Sequence, residues 1–198
     1  AVVIGKSARN VKAQDALDYV AGYSIFNDLS ARDMKPVGRT FNVHWFAQKN
    51  FDGSGPLGPW MVPASEIPDP HNLDIKLWVN DELKQDSNSK YLFFNINEQI
   101  EYISARMTLK PGDVIATGTP SGVGAPYGGR LKAGDTVTIE IGGIGKLVKD
   151  PLDKARRPAR SLALPLRLVC RAMNVPLAHQ RITPTAHPPS RVFLRCVC

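Results

Sequence analysis

At 198 residues, with 43% apolar and 22% charged residues, the chain has the composition of a globular protein with room for one substantial core and little room for two domains. No apolar run approaches the roughly 18 residues of a membrane helix and no basic segment leads into a signal-type stretch, so the expectation is a soluble cytoplasmic protein, or a mitochondrial one in a eukaryote. The formal charge of +7 is unevenly spread: residues 1–150 hold 16 Lys plus Arg against 17 Asp plus Glu (−1), and residues 151–198 hold 9 against 1 (+8), so the body carries no basic stripe that would suit nucleic acid.

The first element is the apolar run Ala1, Val2, Val3, Ile4, closed by Gly5, which predicts a buried strand. Such a strand ordinarily has neighbours on both sides and a connection leading in, so the expectation is that further sequence stands upstream of Ala1. Residues 15–19 suit a helical turn. Residues 23–26 are β-prone and lead into the polar cluster Asn27, Asp28, Leu29, Ser30, Ala31, Arg32, Asp33, the concentration of polar groups at a strand end that binding sites favour. His44 stands beside Trp45 and Phe46 in an apolar patch and reads as a packed side chain.

Between residues 73 and 79 apolar positions alternate (Leu73, Ile75, Leu77, Val79), Asn80 and Asp81 make a turn, and residues 82–85 return, which predicts a hairpin. Asn95 or Asn97 can cap a helix running to about residue 106, with Ile96, Ile100 and Ile103 along one face. A short echo follows: Leu109, Lys110, Pro111, Gly112, Asp113 before Val114 and Ile115, then Leu131, Lys132, Ala133, Gly134, Asp135 before Thr136 and Val137. Each predicts a turn whose Asp bonds nearby backbone and then a strand, the two strands starting alike in one sheet system.

After residue 149 the texture changes. Seven of the 16 prolines and all three cysteines (Cys170, Cys196, Cys198) fall beyond it, so the body has no disulfide framework and must rest on its own core. Residues 1–149 are therefore expected to form the folded domain and residues 150–198 a basic, Pro- and Arg-rich disordered tail.

Five segments carry a resemblance. The Asn27 to Asp33 cluster is one; Phe51, Asp52, Gly53 with Pro56, Leu57, Gly58, Pro59, Trp60 is a second, preceded by Lys49. Leu77, Trp78, Val79, Asn80 with Gln85, Asp86, Ser87, Asn88 is a third, and residues 111–124, through Thr117, Gly118, Thr119 and Pro120 to Gly122 and Gly124, a fourth. Residues 141–147 resemble a closing strand. In this order and spacing the segments resemble the catalytic domain of the fumarylacetoacetate hydrolase family.

The resemblance implies a mixed α/β, predominantly β fold, a β-roll of the fumarylacetoacetase C-terminal type lacking its N-terminal side. It implies a homodimer acting on a small 2-oxo acid, with Mg²⁺ or Mn²⁺ as cofactor and Ca²⁺ also admissible. Asp28 would be a metal ligand, with two further ligands, a Glu-x-Glu pair, upstream of Ala1. Lys49 and Arg32 would hold substrate charge or a developing enolate, and Gly118 and Thr119 would offer donors to the substrate carboxylate; Lys49, Arg32 and Thr119 are the catalytic candidates. Taken alone, Asp28 would be an ordinary turn residue, Lys49 a solvated charge and Arg32 a partner for Asp33.

The reaction implied is hydrolysis of a carbon–carbon bond in an acylpyruvate-type acid. Decarboxylation, or isomerisation of a hydroxyheptadienedioate-type diacid, uses the same enolate chemistry and is the alternative within the family. A third reading is an inactive chain retained for partner binding, suggested by the single metal ligand, and a fourth is binding of nucleic acid or an acidic partner through the tail, suggested by its +8 charge.

Overall fold

The computed structural model describes residues 1–32, 45–124, 129–149 and 194–196. The chain divides into one unit of Ala1–Asp153 with Val192–Cys198 and another of Lys154–Arg191, the second lying outside the described residues. The first unit is mostly β, with a five-stranded and a four-stranded sheet and few helices, as expected.

The short apolar run at the start becomes β1 (Val2–Ile4), central in the first sheet because Val2 and Ile4 are almost wholly buried. The strand order is β3 (Leu57–Pro63), β2 (Val20–Phe26), β1, β6 (Val114–Ala116), β9 (Leu194–Cys196). β1 is antiparallel to both β2 and β6, with Val2 level with Tyr23 on one side and Ile115 on the other. β2 and β6 therefore run in the same direction and leave the sheet at the same end. Of the expected tail only residues 194–196 are described, and they pair in parallel with β6 as β9; its expected disorder otherwise lies outside the described residues.

The amine of Ala1 donates to the Ser24 carbonyl at 2.8 Å, and burial lowers its pKa from 8.0 to about 5. Desolvation also raises the pKa of the Tyr23 phenol, which is packed in the core. Sequence patterning did not predict β3, which carries Pro59 and Pro63. It is tolerated because β3 is the edge of the sheet, where a missing N–H breaks no ladder bond.

The second sheet has the order β5 (Glu82–Asn88), β4 (Asp74–Val79), β7 (Val137–Ile141), β8 (Gly145–Lys149), all antiparallel. β4 and β5 are the hairpin that the alternation predicts. Residues 141–147 are not one closing strand: they cross the turn between β7 and β8, which Gly143 enters at φ +75°. Trp60 of β3 donates its indole N–H to Ile144 in that turn at 2.8 Å, tying the two sheets together.

The echoed turns are real and alike. Asp113 accepts from the Lys110 N–H at 2.9 Å and Asp135 from the Lys132 N–H at 2.6 Å. That bond, with a second from the Asn80 side chain, holds the Asp135 carboxyl below its ordinary range. The strands that follow, β6 and β7, belong to different sheets, which corrects the expectation of one sheet system. Turn chemistry is local, and sheet membership is decided by the next partner.

The helix α2 (Ile96–Ser104) buries Ile96, Ile100 and Ile103 against the core, each worth about 1.5–3 kcal/mol relative to exposure. Asn95 is its cap, accepting from the Glu98 N–H at 3.0 Å while Glu98 accepts from the Asn95 N–H at 2.8 Å. Asn97, the other capping candidate, reaches instead to the Ala13 carbonyl at 2.7 Å, in the short 3₁₀ helix Ala13–Tyr19 that realises the expected helical turn.

Candidate active site

Where β2 ends, the chain is fixed by backbone bonds on both flanks. The Asn27 N–H donates to Pro56 at 2.9 Å, the Leu29 N–H to Ser54 at 3.0 Å and the Ala31 N–H to Gln48 at 2.9 Å. The apolar Leu29 and the amide of Asn27 turn into the protein, and Asp28 between them turns outward. Gln48 and Lys49 end the short helix α1 (Trp45–Lys49), so the bond from Ala31 sets α1 against the Asp28 turn. Lys49 Nζ then lies 2.6 Å from Asp28 Oδ2, with the lysine side chain 15% exposed and the aspartate 35%. A lysine held this far inside by one carboxylate is a fixed cation with one face still reachable, unlike a solvated surface charge.

The second half is the loop that follows β6. Gln99 of α2 donates to the Thr117 carbonyl at 3.2 Å. Gln85 of β5 donates from Nε2 to Thr119 Oγ1 at 3.0 Å and to the Pro120 carbonyl at 3.1 Å. Gly122, at φ +98°, lies so close to β5 that a Cβ there would stand 1.9 Å from the Lys84 carbonyl oxygen. The loop is thus clasped by two elements while Gly118 and Thr119 stay exposed. Gly118 adopts φ +119° with open space where a side chain would stand, leaving its backbone accessible to a ligand.

Both halves stand at one end of the first sheet. Tyr23 and Ile115 are level across Val2, Asp28 follows Tyr23 by five residues and Thr119 follows Ile115 by four, with the start of β1 between them. The structure joins Asp28 to Lys49 directly. Among the described residues no hydrogen bond links Thr119 to that pair, and Thr119 is paired with Gln85 instead. Arg32 is exposed in the turn past Ala31; its neighbour Asp33, and His44, lie outside the described residues. Gln85 sits in a segment that the sequence resemblance picked out, yet its role became visible only when β5 met the loop. Trp60, from another such segment, acts as the tie between sheets.

The donor set for a divalent cation is not assembled here. Among the described residues no group of three or more His, Cys, Asp or Glu side chains could hold a metal ion. Asp28 is a single carboxylate already paired with an ammonium, and the buried orphan beside it, Asn27 Nδ2, is an N–H donor that cannot ligate a cation. The two further ligands expected ahead of Ala1 lie outside this sequence. Among the described residues no helix is long and apolar enough to cross a membrane.

Comparison with known proteins agrees with this architecture. The model of the fumarylacetoacetate (FAA) hydrolase C-terminal domain matches residues 1–150. An uncharacterized protein of Methanocaldococcus jannaschii is 47% identical over 153 residues, covering 76% of this chain and 60% of that protein. The 4-hydroxyphenylacetate degradation bifunctional isomerase/decarboxylase of Salmonella dublin is 44% identical over 147 residues, 74% of this chain and 32% of its own. The crystal structure of maleylpyruvate hydrolase from Sphingobium sp. SYK-6, in complex with manganese(II) and pyruvate, superposes with a TM-score of 0.64 at 41% identity, covering 75% of this chain and 50% of that one.

The chain belongs to the fumarylacetoacetate hydrolase family, whose members among its relatives include hydrolases and isomerase/decarboxylases. It spans about half to two thirds of the length of the first curated relatives it matches.

Proposed function

We propose that this chain is the substrate-holding domain of a hydrolase that cleaves a carbon–carbon bond in an acylpyruvate-type 2-oxo acid. The observation that carries the reading is the ammonium of Lys49 held against Asp28 at the sheet end from which the Thr119 loop also emerges. A divalent cation, Mg²⁺ or Mn²⁺, is the proposed cofactor, supported by the manganese(II) in the maleylpyruvate hydrolase complex; Asp28, paired with Lys49 in this structure, would supply one of its ligands. Assembly as a homodimer belongs to the same reading.

In this reading the 2-oxo acid places its carboxylate against the Gly118–Thr119 loop, where the threonine hydroxyl and backbone N–H groups are exposed donors. Arg32, at the mouth of the Asp28 turn, meets the second acidic group of the substrate. Water adds to the distal acyl carbonyl carbon. The bond from that carbon to its neighbour breaks, the electron pair passes into a pyruvate enolate beside the Lys49 ammonium, and protonation of the enolate carbon releases pyruvate and a carboxylic acid.

The test is incubation of the chain with maleylpyruvate and Mn²⁺, following loss of the enol absorbance and assaying pyruvate. Pyruvate formed in step with the loss supports hydrolysis. A second reading, decarboxylation or isomerisation of a diene diacid, is favoured by the Salmonella relative, and absorbance change or CO₂ release without pyruvate would support it. No turnover of either substrate class, with Mn²⁺ or Mg²⁺ present, would leave the chain as an inactive domain kept for partner binding.

A further inference from the structure

Gln85 is buried, with 7% of the residue exposed, and its carboxamide makes two bonds from one nitrogen. The orientation of that amide is decided by chemistry. A peptide carbonyl cannot donate, so the group facing the Pro120 oxygen at 3.1 Å has to be the NH₂ end. The same nitrogen stands 3.0 Å from Thr119 Oγ1, so the hydroxyl oxygen of Thr119 is the acceptor of that bond. A threonine hydroxyl has one proton, and with its oxygen engaged by a donor from β5 the proton must point elsewhere. The side chain is exposed on its other side, so the proton is presented to solvent and to whatever binds there.

We propose that Gln85 is a positioning residue for substrate binding: it holds the Thr119 hydroxyl as an outward donor to the carboxylate of the 2-oxo acid. The inference deepens the reading of the site given above and rests on it. A threonine in an unrestrained loop would spend part of its time donating to backbone carbonyls or to water. Here the loop is clamped against β5 by the Gly122 approach to Lys84 and the hydroxyl is oriented by Gln85, so the donor is set before the anion arrives. The arrangement also selects the sign of the ligand's charge, because a hydroxyl fixed as a donor favours an anion.

Calorimetric titration of the full chain with oxalate, a mimic of the 2-oxo carboxylate, in buffer containing Mn²⁺ tests this with Gln85→Met, Thr119→Val and the double variant. The two single variants should each weaken oxalate by about tenfold or more, and the double variant should bind no more weakly than Thr119→Val. Thr119→Ser should bind like the unaltered chain and remain sensitive to Gln85→Met. Normal binding by Gln85→Met beside a loss in Thr119→Val would overturn the positioning role and leave the site reading standing. Equal losses from Gln85→Met with and without the Thr119 hydroxyl would also overturn it, since the glutamine would then act only through Pro120 and the loop's fold. Failure of the unaltered chain to bind oxalate would bring down the substrate reading and this inference with it. A readout without ligand is the side-chain amide resonance of Gln85, which should shift in Thr119→Val; an unmoved resonance would overturn the bond itself.

Discussion

Lys49 Nζ and Asp28 Oδ2, 21 residues apart in sequence, stand 2.6 Å from one another at the end of β2, with the lysine the more buried partner. The lysine is mostly enclosed, but the aspartate is about a third exposed, so solvent screening holds the pair's contribution to stability to about 1 kcal/mol. Its geometry therefore matters to binding more than to folding. Lys49→Met is expected to leave the thermal midpoint within a few degrees and to lower turnover of maleylpyruvate by about 100-fold or more, a loss typical of removing one group that faces developing negative charge. Melting curves beside initial rates check it; a large fall in the midpoint would show that the pair is structural.

Gly122 and Gly118 both need positive φ, but only Gly122 is crowded. A Cβ at Gly118 meets open space, so Gly118→Ala should cost only the backbone term, about 1 kcal/mol. Gly122→Ala must also push the loop off the Lys84 carbonyl, and it should lower stability by about 2–4 kcal/mol and weaken oxalate binding. Urea unfolding of the two variants side by side would show the difference, and equal midpoints would contradict the close approach.

The capping box of α2 offers a separate test away from the site. Asn95→Ala removes the acceptor for the Glu98 N–H and should cost about 1 kcal/mol. Glu98→Ala removes only the return bond and should cost less. Midpoints from chemical unfolding, with oxalate affinity unchanged, are the expected outcome.

Much of this protein was legible from the chain because the signals were local. The run from Ala1 to Ile4, the alternation around Leu77, the Ile96, Ile100 and Ile103 stripe and the two Asp-closed turns each depend on residues close in sequence, and each forms as the pattern implies. The segments resembling the fumarylacetoacetate hydrolase family were legible for the same reason, and family membership follows from them.

Long-range partners decided the rest. Two turns of nearly identical chemistry feed strands in different sheets, because a strand joins whichever edge its apolar face completes. A proline-bearing segment becomes β3 because it lies at an edge, and residues 141–147 become a turn because β8 folds back on β7. Asp28 and Lys49 stand 21 residues apart in the sequence, and among the described residues the bond from Ala31 to Gln48 helps bring α1 to Asp28. Gln85 reads in sequence as one polar residue among several in a strand. Its buried amide gains a direction only against the Pro120 carbonyl, and the Thr119 hydroxyl gains its direction from that amide, because hydrogen-bond donors and acceptors are assigned in pairs.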